Sequence, residues 1–494
     1  MSTEPLMGTP SPSSSFDARP GPEFTLSLGK QLSLSIGAEA LHIQDTHIPK
    51  SASRSCCGFA GTSDLANSVT IPLYNLLWVD VGDASVTIKF AAETSKSRVK
   101  ASSLTYPYDL PARSAVEAWT ERVLGAAYGT LIQRPRYKVL INPFGGQGNA
   151  ARLFETACRP ILEAANCSLD VQTTEWTGHA VDIAREIDIE AYDAILCCSG
   201  DGVPHEVFNG LAKRDDAMKA LKTIAVGQLP GGSGNAMCWN LTGTGDPSAA
   251  TLSIIKSSRK SMDLVSISQG DQRFLSFLSQ SFGIIAEVDL GTEDLRWMGG
   301  ARFTYGLMQR IWRQTVYPCD LAVKIAIDDK DTIREHYRQH EAQGVLHGET
   351  GLPELRFGTV NSELPDDWEL IHQPNMGNFY AGNMSWMSAG ANFFPASLPN
   401  DGMFDLVCVA GNISRRQALK MLVSVETGEH FELPHVSYRK ILGYRIIPHK
   451  RPGVTEEYIS IDGERIPFEP FQAEVIKGLG TVLARTEQYL APGV

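Results

Sequence analysis

Between residue 137 and about residue 230, short apolar runs alternate with segments whose apolar residues recur at helical spacing. The pattern predicts strands at 137–141, 169–174, 192–198 and 223–226 and helices at 150–164 and 179–187. Strands that alternate with helices are typical of a three-layer, doubly wound α/β domain with a parallel sheet. Ligands of such sheets bind at the carboxyl ends of the strands, so functional residues are expected there.

The flanking regions have a different, strand-rich pattern. Residues 23–135 contain several short alternating segments followed by an amphipathic helix at 114–128, which is typical of a pleckstrin-homology-like domain; a purely structural β domain fits the same pattern. Beyond residue 261 the strands predict an antiparallel β-sandwich, interrupted by a charged segment without clear periodicity. The predicted organisation is a disordered N-terminus at 1–22, the β-rich domain at 23–135, the α/β domain at 136–260, and the sandwich at 261–494 with a mobile insertion at 328–373.

Composition narrows the classes of function. The 494 residues carry a formal net charge of -12, which argues against a nucleic-acid partner because such proteins present a basic face. No Cys-x-x-Cys pair occurs among the nine cysteines, which favours a reducing, cytoplasmic compartment. The N-terminus lacks the apolar core of a signal peptide and no run of 18 apolar residues occurs, so membrane contact is expected to be peripheral.

Three glycine-rich turns follow predicted strands: Gly145–Asn149, Ser199–Gly202 and Gly231–Asn235. Glycine lets the backbone approach an anion, and successive N–H groups supply partial positive charge, so the three turns together predict a phosphate site. A single carboxylate, Asp201, lies among them. It can accept a proton from an attacking hydroxyl or hold Mg²⁺; the alternative is a capping aspartate in an ordinary turn.

Two common phosphate-binding motifs do not fit the first turn. The sequence Gly145-Gly146-Gln147-Gly148 matches a dinucleotide fingerprint only in part, and no Gly-Lys-Ser/Thr follows, as a P-loop requires. Phosphate binding would therefore depend on backbone N–H groups at all three turns.

Several short sequence motifs, in a fixed order along the chain, carry a family resemblance. They are Asn142-Pro143-Phe144-Gly145-Gly146, Thr174-Glu175 with His179-Ala180, Ser199-Gly200-Asp201-Gly202, His205-Glu206 with Asn209-Gly210, Leu229 to Asn235, and Asp462-Gly463-Glu464. From about residue 137 to the C-terminus the chain resembles the lipid kinases related to diacylglycerol kinases, and within them the sphingosine, or sphingoid long-chain-base, kinases.

The resemblance implies transfer of the ATP γ-phosphate, with Mg²⁺, to the primary hydroxyl of a sphingoid base. It implies that Asp201 is catalytic or binds the metal, with Asp462 as a second metal ligand. It places the lipid head at Asp289 and Ser279. The residues implied for the nucleotide are Asn142, Pro143, Phe144, Gly145, Gly146, Thr174, Gly178, Ser199, Gly200, Gly202, Glu206, Gly232, Ser233, Gly234, Asn235, Arg296, Arg302, Asp462, Gly463 and Glu464. Relatives often carry lysine where this chain has Gln147, so one charge near the phosphates is missing.

Plainer interpretations remain open for the later motifs. Glu287, Asp289 and Glu293 fit a solvated acidic face as well as a site for an ammonium group. Asp462-Gly463-Glu464 fits an ordinary hairpin turn. The helical stripe of Phe303, Leu307, Ile311 and Trp312 fits core packing as well as a lipid gate.

Partners and rival functions complete the expectations. Cys56 and Cys57 lie in a polar, loop-like setting, which invites palmitoylation, although a pair of inert thiols fits equally. The expected location is cytoplasmic with peripheral membrane association, and a homodimer is left open. The rivals are a diacylglycerol or ceramide kinase and a catalytically silent lipid-binding adaptor.

Overall fold

A computed structural model describes residues 24–29, 31–45, 68–95, 97–146, 148–292, 301–340, 350–485 and 493–494, without the side chains of 301–303. The predicted disordered segment and the cysteine pair at 56 and 57 lie outside the described residues. The chain divides into an N-terminal unit, Met1–Phe90 with Ser103–Gly129, and a C-terminal unit, Ala91–Ser102 with Thr130–Val494.

The N-terminal unit contains two antiparallel sheets and one helix in its described part. Alternating Leu and Ser in the second strand bury Leu32 and Leu34 on one face, and helix α1 buries Trp119 and Val123. The β-rich pattern is therefore confirmed. The sheets have the orders β1-β2-β3-β4 and β5-β6-β7. The elements are β1 Phe24–Leu28, β2 Leu32–Ile36, β3 Ala40–Asp45, β4 Ser68–Pro72, β5 Leu76–Val81, β6 Ser85–Ser95, β7 Arg98–Pro107 and α1 Arg113–Tyr128.

The C-terminal unit begins with the predicted parallel sheet, in the order β11-β10-β8-β9. Its central strand β10 is buried throughout because helices cover both faces, which explains its uninterrupted apolar run. Burial raises the pKa of the Cys197 and Cys198 thiols, so both stay protonated. The elements are β8 Arg136–Ile141, α2 Ala150–Leu153, α3 Arg159–Ala164, β9 Ser168–Thr173, α4 His179–Glu186, β10 Ala194–Ser199, α5 Gly202–Ala212, α6 Ala217–Thr223, β11 Ala225–Pro230, α7 Ala236–Thr242 and α8 Pro247–Ile255.

The predicted antiparallel sandwich follows, and its buried apolar residues form a second core cluster that includes Phe282, Phe379 and Tyr444. The elements are β12 Ser258–Gln269, β13 Gln272–Ser276, β14 Ser279–Gly283, α9 Ile284–Leu290, α10 Ala301–Arg313, β15 Cys319–Ile327, α11 Lys330–Gln339, β16 Ile371–Gln373, β17 Met376–Gly382, β18 Trp386–Ser388, β19 Ala391–Asn392, β20 Phe404–Ala410, α12 Arg415–Ser424, β21 Ser437–Pro448, β22 Ile459–Ile461, β23 Glu464–Ile466 and β24 Phe471–Ala484.

The predicted boundary at residue 260 does not separate two compact units. Strand β24 pairs with β12 and β21 of the sandwich, and it also pairs in parallel with β11, where Val482 lies opposite Val226. The strands of the α/β domain and of the sandwich therefore belong to one continuous sheet. The sequence pattern missed this because periodicity predicts a strand but not its partner.

The described part of the segment 328–373 is not irregular throughout, although its composition predicted an irregular, mobile insertion; its mobility stays a prediction. Its described part contains α11 and β16, and it buries Ile333 and Trp368. The backbone N–H groups of Arg356 and Phe357 each donate to the Glu474 carboxylate at 2.9 Å. The charged residues of α11 cover its exposed face and hide its helical period in the sequence. No helix in the described part of the chain is long and apolar enough to span a membrane.

Candidate active site

The three glycine-rich turns meet at the carboxyl ends of β8, β10 and β11. A Cβ atom at Gly232 would lie 2.3 Å from Gly200 Cα, and one at Gly146 would lie 2.9 Å from the Gly231 carbonyl oxygen. Gly146 also has a positive φ of 59°. Only glycine permits this close backbone approach, so the turns form one continuous main-chain surface.

Two asparagines order these turns from within. Asn142 Oδ1 accepts the Phe144 N–H at 2.9 Å. Asn235, in the left-handed region, accepts the Gly232 N–H at 2.8 Å and donates to the Gly232 carbonyl at 3.0 Å. Pro143, Gly145, Ser233 and Gly234 lie in the turns so ordered, and the Phe144 ring is 75% exposed. Gln147 lies outside the described residues.

Asp201 belongs to the second turn and accepts hydrogen bonds from α7, the helix that follows the third turn. Its Oδ2 accepts the Ala236 N–H and its Oδ1 the Met237 N–H, both at 3.0 Å, and Gln228 Nε2 donates to Oδ1 at 3.3 Å. Burial raises the pKa of Asp201, while these hydrogen bonds act in the opposite direction and only partly offset it. A carboxylate accepts about four hydrogen bonds, so about one acceptor position is left for a ligand.

Gln228 is a site residue that the sequence analysis missed. It lies inside the buried strand β11, where its Oε1 accepts the Cys238 N–H at 2.7 Å while its amide nitrogen faces Asp201. The amide also approaches the carbonyl oxygen of Ser199, whose own hydroxyl donates to the Gly200 carbonyl at 2.7 Å. A lone amide in an apolar strand was the available signal, because a buried polar group needs partners.

Asp462 does not fit the predicted role of a magnesium ligand. It lies in the left-handed region with its side chain fully buried. Oδ1 accepts the Ser276 hydroxyl at 2.6 Å and the Leu278 and Ser279 N–H groups at 3.0 and 2.9 Å. Oδ2 accepts the Phe277 N–H at 3.0 Å and lies 2.8 Å from His205 Nδ1. Five described donors saturate the carboxylate, so Asp462 holds the fold together instead.

His205 and Asn209 on α5 complete this anchor. Burial alone would lower the pKa of His205, but the ion pair with Asp462 outweighs burial and raises it. Asn209 donates to the Leu275 carbonyl and accepts the Leu275 N–H, both at 2.8 Å. Helix α5, which begins beside Asp201, is thereby fixed to the sandwich strands.

Three other predicted nucleotide residues support the loop before α4. The Glu206 carboxylate accepts the Gly178 N–H at 2.9 Å and the Ala180 N–H at 3.1 Å. Gly178 has a φ of 89°, and Thr174 is buried with its N–H donating to the Ile141 carbonyl at 2.8 Å. In this structure Glu206 caps a helix, so its contribution to a nucleotide site is to position that loop.

The turn Asp462–Glu464 lies between Asp201 and Asp289 of α9. Glu464 Oε1 lies 2.8 Å from the position of a Cβ atom on Gly202, and Asp289 Oδ2 lies 3.9 Å from that of one on Gly463. The hydroxyl of Ser460 donates to Asp289 Oδ2 at 3.2 Å. The turn thus connects the glycine surface to Asp289.

Tyr380 and Ser279 lie behind these carboxylates. Burial raises the pKa of Tyr380, and the negative charges of Asp289, Asp462 and Asp201 act in the same direction. The Ser279 and Tyr380 hydroxyls are 3.4 Å apart. Ser279 is buried, so the structure places it in the support of the acidic site.

Glu287, on the same helix as Asp289, is paired with cations and so is not part of a solvated acidic face. Its carboxylate lies 3.4 Å from Arg310 and 3.2 Å from Arg451, and it accepts the Tyr317 hydroxyl. Glu293 and Arg296 lie outside the described residues, as does the side chain of Arg302.

An apolar cavity, partly open to solvent, lies beside α9, between α10, α12 and strands β17 and β20. Leu307 and Ile311 line it, as do Ile284 and Ile285 at the start of α9. Trp312 is 70% exposed, so the described side chains of the predicted stripe divide between the cavity wall and the surface. The side chain of Phe303 lies outside the described residues.

Comparison with known proteins places these features in a family. Residues 136–267 match the diacylglycerol kinase catalytic domain family. Sphingoid long chain base kinase 5 of Saccharomyces cerevisiae is 36% identical over 430 residues, which cover 75% of this chain and 62% of that protein. Sphingoid long chain base kinase 4 of Schizosaccharomyces pombe is 32% identical over 418 residues, which cover 84% of this chain and 88% of that protein. The chain belongs to the sphingoid long-chain-base kinase family.

Other comparisons cover the remaining parts of this family member. Residues 356–484 match the YegS C-terminal NAD kinase beta sandwich-like domain, and residues 24–129 match a domain of unknown function, DUF7493. A crystal structure of a candidate diacylglycerol kinase from Bacillus anthracis str. Sterne aligns with a TM-score of 0.50 at 18% identity, covering 72% of this chain and 96% of that chain. This likeness confirms the kinase fold and its sandwich.

Proposed function

We propose that the protein transfers the γ-phosphate of ATP to the primary hydroxyl of a sphingoid long-chain base. The observation that carries the proposal is the convergence of three glycine turns on Asp201, with Asp289 on the other side of the turn Asp462–Glu464. The names of the related kinases support the substrate class.

The nucleotide phosphates would bind the main-chain surface of Gly145–Gly146 and Gly232–Gly234, where N–H groups supply partial positive charge. Mg²⁺ prefers oxygen ligands, and Glu464 beside Gly202 is the residue that fits it when the one remaining acceptor position of Asp201 faces the lipid hydroxyl. The ion would neutralise charge on the phosphates. Arg296 and Arg302 remain predicted phosphate ligands.

Asp201 would accept the proton of the attacking lipid hydroxyl. Phosphoryl transfer depends mainly on positioning and on stabilisation of charge, and here Gln228 with two N–H groups fixes the carboxylate. A raised pKa strengthens Asp201 as a base.

The lipid would bind along α9. Ile284 and Ile285 at its beginning line the apolar cavity, and Asp289 lies near its end. A rise of 1.5 Å per residue separates Ile284 from Asp289 by about 7.5 Å along the helix axis. An amphiphile with an ammonium group next to a hydrocarbon tail matches this spacing, because the carboxylate compensates the cation and the cavity buries the chain.

Direct assay of the purified chain tests the reaction. With Mg²⁺ and labelled ATP, sphinganine and phytosphingosine should acquire phosphate, whereas ceramide and diacylglycerol should not. Preferential labelling of diacylglycerol or ceramide would replace the proposed substrate, and absence of any labelled lipid would favour a binding protein without catalysis.

Substituting Asp289 with asparagine should raise KM for sphinganine about 10- to 100-fold, because a hydrogen bond to a charged group contributes about 1.5–3 kcal/mol. The kcat should change far less, since Asp201 and the glycine turns are retained. Steady-state kinetics measure both constants. Lipid binding measured without turnover allows an N-acetylated sphingoid base, which lacks the ammonium group, to serve as the matched ligand; an equal loss of affinity for it would show that the substitution acts through packing instead.

We also propose that α10 and α12 contact the membrane that holds the lipid. Five large apolar side chains on these helices are exposed: Tyr305, Met308, Trp312, Leu419 and Val423. Arg415 stacks on Trp312 at 4.8 Å, and Arg416 and Lys420 follow on α12. An apolar surface bordered by basic residues suits the interface of an anionic bilayer, and it lies on the helices that enclose the cavity.

Replacing both Trp312 and Val423 with serine should reduce binding to vesicles containing anionic lipid about tenfold or more, because each side chain loses apolar area that the bilayer would bury. Vesicle co-sedimentation measures this. Ile132→Ser removes an exposed apolar side chain, 47% accessible, that lies just before β8 in the C-terminal unit, and it should leave binding unchanged. Equal binding by all three proteins would refute the assignment of this surface.

The four- and three-stranded sheets and helix α1 in the described part of the N-terminal unit support our proposal that this unit is pleckstrin-homology-like. We propose it as a module for peripheral membrane or protein contact from the cytoplasm. Palmitoylation of Cys56 and Cys57 and formation of a homodimer remain predictions.

A further inference from the structure

Two histidines and an aspartate meet at one place on three neighbouring strands of the sandwich. Asp320 lies near the start of β15, between β16 and β21. His372 of β16 lies directly opposite Asp320 in the antiparallel register, and His449 follows the end of β21. Directly opposed residues have Cβ atoms about 4.5–5.5 Å apart, so their side chains are within reach of a shared ion.

The carboxylate of Asp320 faces one imidazole with each oxygen. Oδ1 lies 2.6 Å from His372 Nδ1, and Oδ2 lies 3.1 Å from His449 Nε2. The three ligand atoms all lie within 4.8 Å of one another. Tetrahedral Zn²⁺ with bonds of about 2.0–2.2 Å separates its ligand atoms by about 3.3–3.6 Å, so small rotations of the side chains would suffice.

The contact between His449 and Asp320 is close but poorly directed for a hydrogen bond. The Nε2 of His449 is shielded from solvent and forms no well-directed hydrogen bond, although it is close to Asp320 Oδ2. A nitrogen that points past its neighbour is expected when both are directed at a common point. His372 keeps 62% of its side chain exposed, so an ion can reach the cluster from solvent.

We propose that Asp320, His372 and His449 form a binding site for a divalent transition-metal ion of the zinc class. Two imidazole nitrogens and one carboxylate oxygen suit Zn²⁺, and water would complete the coordination. Mg²⁺ and Ca²⁺ prefer oxygen ligands throughout, so this site would not compete for the Mg²⁺ of the kinase reaction.

The site would join the short edge strand β16 to the strands that support α9. Tyr317, three residues before Asp320, donates to Glu287 of α9, and Arg451, two residues after His449, contacts the same carboxylate at 3.2 Å. The Arg451 guanidinium also stacks on Tyr317 at 4.3 Å. A bound ion would therefore stabilise the strand ends that hold the base of α9.

Metal titration of the full chain, made without a histidine tag and kept under a non-thiol reductant, tests the proposal. The protein is freed of metal with a chelator and titrated with Zn²⁺ in millimolar Mg²⁺. We expect one Zn²⁺ per chain at this site. His372→Gln with His449→Gln should lower the affinity at least 100-fold, and Asp320→Asn should lower it at least tenfold.

The matched control is His336→Gln with His340→Gln. Those rings lie 5.6 Å apart, close to the 5.7 Å between His372 and His449, but the nearby Asp401 carboxylate is paired with Lys440 at 2.9 Å. The control should bind Zn²⁺ like the unmodified chain. Co²⁺ gives a second readout, since visible bands without thiolate charge transfer would exclude cysteine ligands.

Thermal unfolding in chelator checks that the variants fold. The cluster variants should melt close to the unmodified chain, whereas the control has its own baseline because His336 Nε2 lies 3.1 Å from the buried Asp401 carboxylate. Addition of Zn²⁺ should raise the melting temperature of the unmodified chain and the control but not of the cluster variants. Identical Zn²⁺ titrations for the unmodified chain and the double cluster variant, or cobalt bands with thiolate character that survive in that variant, would overturn the proposal and leave a hydrogen-bonded triad.

Discussion

Substitution of Asp201 with asparagine is expected to lower kcat by about 10²–10⁴-fold, the usual contribution of a general base. The side chain keeps its size, so the glycine turns and the lipid site should remain intact. KM for ATP and for sphinganine should change by much less. Initial rates with saturating ATP measure the loss, and sphinganine binding measured without ATP shows whether the lipid site persists.

The control for this variant must separate catalysis from helix capping, because Asp201 also accepts two N–H groups of α7. Asp246 caps α8 in a similar way, accepting the Ser248 and Ala249 N–H groups at 3.0 and 3.1 Å. Loss of a cap costs about 0.5–2 kcal/mol when alanine replaces the capping residue. Asp246→Ala should therefore melt like Asp201→Ala yet keep nearly full turnover; an equal loss of turnover in both would identify capping as the cause.

Substitution of Asp462 with alanine should lower the free energy of unfolding of the C-terminal unit by about 3–5 kcal/mol, because it leaves several buried donors without an acceptor and His205 without its counter-charge. This is a large share of a typical stability of about 5–15 kcal/mol. Urea denaturation followed by tryptophan fluorescence measures it. A free energy of unfolding within about 1 kcal/mol of that of the unmodified chain, which is about the resolution of such measurements, would contradict the role of Asp462 as an anchor.

The pH dependence of that difference identifies His205 as the partner. Because the folded pKa of His205 is raised, the ion pair contributes fully below the ordinary histidine pKa of about 6.5 and is lost as pH rises through the raised value. The stability difference between the unmodified chain and Asp462→Ala should therefore shrink toward alkaline pH. A difference that does not vary with pH would assign the stabilisation to the backbone donors alone.

The sequence predicted the site where local chemistry determines the structure. A strand, a glycine turn and a helix follow one another along the chain, so parallel pairing alone brings Gly146, Asp201 and Gly232 to one edge of the sheet. The same reasoning failed for Asp462. Its donors lie 183–257 residues away in sequence, and its motif looks like an exposed turn acid when read alone.

Glu206 and Gln228 illustrate a second reason why the sequence could not predict the whole site. Each was visible as a polar residue beside a glycine turn or inside an apolar strand, but its partner is a backbone N–H group that any sequence possesses. Composition also misled for 328–373, because the exposed charges of α11 outweigh the one buried face of a short helix. Side-chain pattern predicts elements well; it does not predict which main-chain groups need an acceptor.

Strand β24 has a mechanical consequence for turnover. On one edge it is hydrogen-bonded to β21 near its beginning and to β11 near its end, so the two halves around Asp201 cannot swing apart without breaking main-chain hydrogen bonds. Release of a long-chain product must then depend on displacement of helices that lie outside this sheet, namely α9, α10 and α12. The hydrogen-bonded sheet would keep the catalytic geometry while the lipid enters and leaves between the side chains of these helices.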